Sequence, residues 1–266
     1  MAFGPDNRFQ TGGSAWTQPF GRSAAVDAAQ LDEGLRAYML RVYNWMASGL
    51  LLTGIVAYLI ANTGAAELFY QVVRTPRGNA VSPTILGWIA MFSPLAFILV
   101  LSFGINRMSK TTAQMLFWAF AGVMGVSMSN IFLIYTGASI ASTFFVTAGM
   151  FAAASLYGYT TKADLTKFHS FLLMGLIGLI IAMVVNIFLQ SPMLHFVISG
   201  AGVLLFTVLT AFDTQRIKSD YIEYAYAEGT ELAGKRSVID ALGLYLNFIN
   251  LFQFLLQFMG MRQNSE

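Results

Sequence analysis

Apolar residues dominate the chain in seven long runs, each close to the roughly 20 residues a helix needs to cross a bilayer. The pattern predicts spans at about 42–62, 82–104, 112–135, 138–160, 168–190, 193–213 and 237–260. The last run differs from the others. Asp240, Gly243, Asn247, Asn250, Gln253 and Gln257 recur in it at spacings of 3, 4, 3, 3 and 4, which places them on one stripe of a helix. Leu, Ile, Phe and Met fill the rest of its surface. Unpaired polar groups in hydrocarbon cost several kcal/mol each, so such a stripe does not face lipid. The expectation is a last helix enclosed by the others. Its polar side either lines a conduction or sensing path or simply bonds neighbouring helices.

Polar segments divide these runs. Residues 1–35, rich in Gly, Ala, Ser, Asp and Arg, read as a disordered tail, with an amphipathic lead-in helix from Gly34 to Asn44. Residues 63–80 read as a loop broken by Pro76 and Gly78. Pro94 marks a kink in the second span, and Gln190, Ser191 and Pro192 mark a tight turn. The first long apolar run is a full span rather than a signal peptide.

Composition agrees with this pattern. Of 266 residues, 56% are hydrophobic and 11% charged, against roughly 25% charged in a soluble domain. The fold class is therefore all-α: a polytopic membrane helix bundle with seven transmembrane helices and the last one central. Its domain is predicted over residues 36–262. The chain has no cysteine and two histidines, which argues against disulfides and structural zinc. A net charge of +2 is too small to imply nucleic acid. Position matters more than the sum. Of the 15 Lys and Arg, twelve fall in alternate loops beginning with the tail; Arg74, Arg77 and Arg262 lie on the other side. That bias predicts a cytoplasmic N-terminus. The C-terminus is on the far side if the last helix spans, and on the near side if it is re-entrant.

Asp213 ends the otherwise uncharged run HFVISGAGVLLFTVLTAF. An acid there is a functional candidate by default. In the plainer reading it meets water at the end of the span and pairs with Arg216 or Lys218. Asn130 and Asn186 suit interhelical bonding. No nucleophile–base set, Gly-rich phosphate loop or two-carboxylate metal cluster is visible, so no enzyme activity and no cofactor are expected.

Five stretches now resemble one family in its order: NIFLIYTGASI from Asn130, SLYGYTTKADL from Ser155, MGLIGLIIAMVVNIFL from Met174, FDTQRIK from Phe212 and ALGLYLNFINLF from Ala241. The chain resembles the Bax inhibitor-1/YccA family, or transmembrane BAX inhibitor motif family, in its bacterial branch. The resemblance implies residence in the bacterial inner membrane. It also implies a seven-helix fold whose last helix is wrapped by two three-helix layers, and a pH-sensitive calcium leak. In that activity two aspartates share a proton, and an arginine near the end of the second helix pairs with them. The first aspartate corresponds to Asp213. The second position holds Asn247, so the repulsion that makes one of two close carboxylates keep its proton is absent. Arg107 is the arginine candidate, and Asp240, about 10 Å along the helix from Asn247, a second carboxylate. Asp213 would form a weak, transient calcium site with Asn247, Asn250 and backbone carbonyls, since calcium takes 6–8 oxygens. The alternative implied by the family is a non-conducting regulator that binds a membrane-bound protease.

Overall fold

The computed structural model describes residues 20–75, 78–104, 107–224 and 230–261. The chain forms nearly all-α structure with seven helical segments long and apolar enough to cross a membrane. The first, α1 (Phe20–Ala61), starts well ahead of its apolar run. This corrects the reading of residues 20–35 as a disordered tail. Ala24, Ala25, Ala28 and Ala29, with Gln30, Asp32, Glu33 and Arg36, have the helix propensity to extend a helix already anchored by its buried portion. Residues 1–19 lie outside the described residues.

Between the first two spans the expected loop is instead α2 (Ala66–Phe69) and an antiparallel hairpin of β1 (Tyr70–Thr75) and β2 (Gly78–Pro83). Its register runs from Tyr70 opposite Pro83 to Thr75 opposite Gly78. Val72, Val73 and Val81 are β-branched residues of the kind that favour strands. Tyr70 is buried and its hydroxyl donates to the Ser127 carbonyl at 3.0 Å, tying the hairpin to the bundle. Gly87 packs against the Phe69 carbonyl so closely that a Cβ would collide with it.

The remaining elements are α3 (Ile85–Gly104), α4 (Lys110–Met128), α5 (Asn130–Ile134), α6 (Gly137–Thr160), α7 (His169–Leu189), α8 (Pro192–Tyr224) and α9 (Thr230–Met259). The third predicted span breaks at Ser129, whose hydroxyl bonds back to the Val126 carbonyl at 2.7 Å. Gln190 ends α7 in the left-handed region, φ 48°, as the predicted turn requires. Asn186 accepts from the Ser191 amide at 3.1 Å, so it closes this turn rather than bonding another helix.

The bundle has two three-helix groups, α1–α3–α4 and α6–α7–α8, with α9 between them. Helix α9 packs on α1, α4, α6 and α8, while α3 and α7 are peripheral. Two thirds (67%) of its most apolar window is buried, against at most 39% in the other six. Tyr245 of α9 is fully buried, edge-on to Phe117 and Phe120 of α4, and its hydroxyl meets Thr53 of α1 at 2.7 Å. Small residues let the layers close: at Gly158 an added Cβ would strike the backbone of Ala211. The end of α9 is bonded to the turn before α6, by Thr136 N–H to the Met261 carbonyl at 3.2 Å and Met261 N–H to Ser139 Oγ at 2.9 Å. Helix α9 is therefore unbroken from Thr230 to Met259 and long enough to cross a membrane.

Candidate functional site

Asp213 lies inside α8, not at its end, because the helix continues to Tyr224. Its neighbours Ala211, Phe212 and Thr214 are buried, and its own side chain is 14% exposed. A carboxylate so placed needs partners for both oxygens, and it has them. Asn247 of α9, 6% exposed, donates from Nδ2 to Oδ2 at 2.7 Å. Arg216, one turn further along α8, places Nη2 3.1 Å from Oδ1. Charge-assisted bonds of this kind are the strong ones.

Arg216 also crosses to α9. Its Nη2 lies 3.9 Å from where a Cβ of Gly243 would sit, so the glycine leaves the stripe open to the guanidinium. Asp240, one turn nearer the start of α9, takes a different partner: the Tyr38 hydroxyl of α1 donates to its Oδ2 at 2.6 Å. Tyr38 packs against Tyr221 of α8, with ring centroids 4.9 Å apart and planes tilted by 32°. Asp240 and Asp213 thus lie in separate hydrogen-bonded sets, and Arg216 is among the charges that act on both.

Arg107 does not join this cluster. It is exposed in the turn between α3 and α4, and the cation paired with Asp213 is Arg216. The pairing of Asp213 with Arg216 is the plainer alternative read from the sequence, an arginine on the same helix at an i,i+3 spacing. Asn250 is partly exposed, beyond Asn247 on the stripe, and makes no hydrogen bond to Asp213. The stripe as a whole is the less buried side of α9. Asp240, Gly243, Asn250 and Gln253 are partly exposed and Gln257 is exposed.

The rest of FDTQRIK anchors the site. Gln215 donates to the Ala163 carbonyl at 2.7 Å and accepts from the Leu165 amide at 2.8 Å. Lys218 donates to the Tyr159 carbonyl at 2.8 Å, near the end of α6, where a cation also complements the helix dipole. Thr214 bonds Ser155 at 3.0 Å, and Ser155 in turn bonds Tyr43. Through these contacts FDTQRIK holds the end of α6 and the linker after it, both within SLYGYTTKADL. Sequence reasoning missed Tyr38 and Gln215, whose partners lie 202 and about 50 residues away.

The described residues contain no group of three or more His, Cys, Asp or Glu arranged to hold a metal. Each oxygen of Asp213 has one partner, so a cation that approaches this carboxylate competes with the guanidinium and the amide.

The family described as "Inhibitor of apoptosis-promoting Bax1" matches residues 35–264. The chain is 47% identical to protein RP147 of Rickettsia prowazekii over 88% of its own length and 93% of that protein's. It is 45% identical to a protein of Caulobacter vibrioides over 91% and 96% of the two chains. It is 44% identical to the inner membrane protein YbhL of Escherichia coli over 92% and 99%. Seven candidate spans, the central α9 and these matches together make the chain an integral membrane protein that belongs to the Bax inhibitor-1 family.

Proposed function

We propose that the protein is a cation leak of the bacterial inner membrane, with calcium as the permeant ion and Asp213 as the carboxylate the ion meets. The observation that carries this reading is the clamp on Asp213, an acid in an apolar helix with one oxygen on Arg216 and the other on Asn247. Arg216 is 45% exposed, so it can swing away without unfolding the bundle and open the carboxylate to a cation. Beyond it, Asn250, Gln253 and Gln257 offer amide oxygens about one helical turn apart. One carboxylate with a few amides falls short of the 6–8 ligands of a tight calcium site. Weak holding of this sort suits passage. Asn247 cannot share a proton as a second carboxylate would, so the leak is governed by the ion pair and is flat with pH near neutrality. The inner-membrane location rests on YbhL, and the cytoplasmic N-terminus on the distribution of Lys and Arg.

Calcium flux into dye-loaded proteoliposomes tests the proposal. Wild type leaks, Asp213→Asn lowers the flux, and Arg216→Gln raises it. Flux unchanged by Asp213→Asn removes the central residue and, with it, the channel reading. A second reading, a non-conducting regulator that binds a membrane-bound protease, draws on α1, which continues as helix ahead of the span that begins at Leu31. Deleting residues 1–30 then abolishes protease capture and leaves the bundle folded.

A further inference from the structure

We propose that the crevice between α1 and α6 holds an acyl chain of an anionic glycerophospholipid, with the lipid phosphate on Arg36. Helix α1 packs on α4 and α9, and α6 on α8 and α9, while across the crevice they are joined by the Tyr43–Ser155 hydrogen bond. Two adjoining cavities result, of about 690 and 520 Å³, sharing Met46 and Phe151. The larger is walled by Leu50, Ile55 and Phe144, with Phe248 of α9 as its floor. The smaller is walled by Leu40, Tyr43, Ala152 and Tyr159 and ends at Arg36. The Tyr43 and Ser155 hydroxyls satisfy each other, so ordered water finds few partners in this space and an apolar chain fits it better.

Charge and length select the occupant. Arg36 is exposed, and among the described residues no carboxylate lies within ion-pair distance of it, although Asp32 and Glu33 sit one turn nearer the N-terminus of the same helix. Lys218 adds a second positive charge at this end, with Nζ 5.0 Å from the Tyr159 ring centroid. A guanidinium matches a phosphate through paired hydrogen bonds. A zwitterionic headgroup would bring its own cation to the same place. From Arg36 to Leu50 the axial rise is about 21 Å at 1.5 Å per residue, half of the roughly 40–45 Å of a bilayer with its headgroups. One lipid of a single leaflet therefore reaches from Arg36 to the Phe248 floor. Asp213 does not line the crevice, although the Ser155–Thr214 hydrogen bond connects the two, and the lipid site holds whether or not the protein conducts.

The test is native mass spectrometry of the full chain from micelles containing equal amounts of phosphatidylglycerol and phosphatidylcholine. Wild type is expected to retain phosphatidylglycerol over phosphatidylcholine by about tenfold, the ratio that 1.4 kcal/mol produces. Arg36→Gln brings the ratio near parity and keeps bound lipid. Ala152→Phe, on an exposed helix position facing the crevice, reduces retention of both lipids. Equal retention by wild type, or an unchanged preference in Arg36→Gln, overturns the proposal. Displacement of the lipid by excess inorganic phosphate overturns it too, since that marks an anion site with no acyl component. Circular dichroism checks that each variant is folded, and Arg36→Gln decides the headgroup assignment even if Ala152→Phe fails to fold.

Discussion

The side-chain amide of Asn247 donates to Asp213 across the α8–α9 contact at 2.7 Å. An acid and an amide here form a pair that needs no shared proton. Replacing the amide by a second carboxylate changes the chemistry, because two carboxylates at this distance cannot both ionise cheaply. Asn247→Asp is expected to make calcium flux rise and fall with pH between about 5 and 8, where wild type stays flat. Flux assays at several pH values check this. A variant as flat as wild type shows that the pair does not gate.

Arg216 carries the other half of the clamp. Arg216→Gln leaves Asp213 with one neutral partner, and the leak is expected to rise several-fold. The stability cost is about 1 kcal/mol, because Arg216 is 45% exposed and water replaces much of the lost attraction. Arg216→Lys restores the charge without the fork geometry and recovers part of the closure. Thermal unfolding in detergent separates the two effects.

Gly158 sets the α6–α8 crossing. Gly158→Ala pushes a methyl group into the Ala211 backbone, and because backbone cannot rotate aside, the expected loss is about 2 kcal/mol or more. At Gly178 an added Cβ would meet open space, so Gly178→Ala is close to neutral. Midpoints of thermal unfolding for the two variants, measured side by side, check the contrast.

Asp164 opens the linker between α6 and α7. Its carboxylate accepts from the Thr166 hydroxyl and the Thr166 amide, and these bonds hold its pKa below the ordinary 3.8. A depressed folded-state value means stability that is present above 3.8 and lost as pH falls through the lower folded value. Amide exchange protection of residues 162–168 is therefore expected to be unchanged from neutral pH down to about 5. Asp164→Ala weakens protection at every pH in that range, and Gln215→Ala does the same by releasing the Ala163 carbonyl and Leu165 amide.

Much of the bundle was legible in the chain. Each span appears as an apolar run of the right length, and the polar stripe of the last run pointed to an interior α9, although it is the apolar residues beside the stripe that carry most of the burial. The expectation follows from local composition and helical period alone. The Gln190–Pro192 turn was equally legible, since its residue types suit a helix end. The hairpin after α2 was not: Val72, Val73 and Val81 carried a weak strand signal beside stronger turn signals from Pro76 and Gly78.

Sequence by itself determined which segments cross the membrane, and that the acid at 213 would need partners. Only the tertiary structure decided who those partners are. Asp213 could have paired with Arg107, Arg216 or Lys218, or met water. Arg216 reaches it along α8 at an i,i+3 spacing, while the rotation and depth of α8 against its neighbours bring Asn247 of α9 to it and send Lys218 to the end of α6. Tyr38 and Asp240 meet across 202 residues for the same reason. Period along one helix tells which residues share a face; which face meets which neighbour is set by how seven helices pack at once, through close approaches such as Gly158 on Ala211.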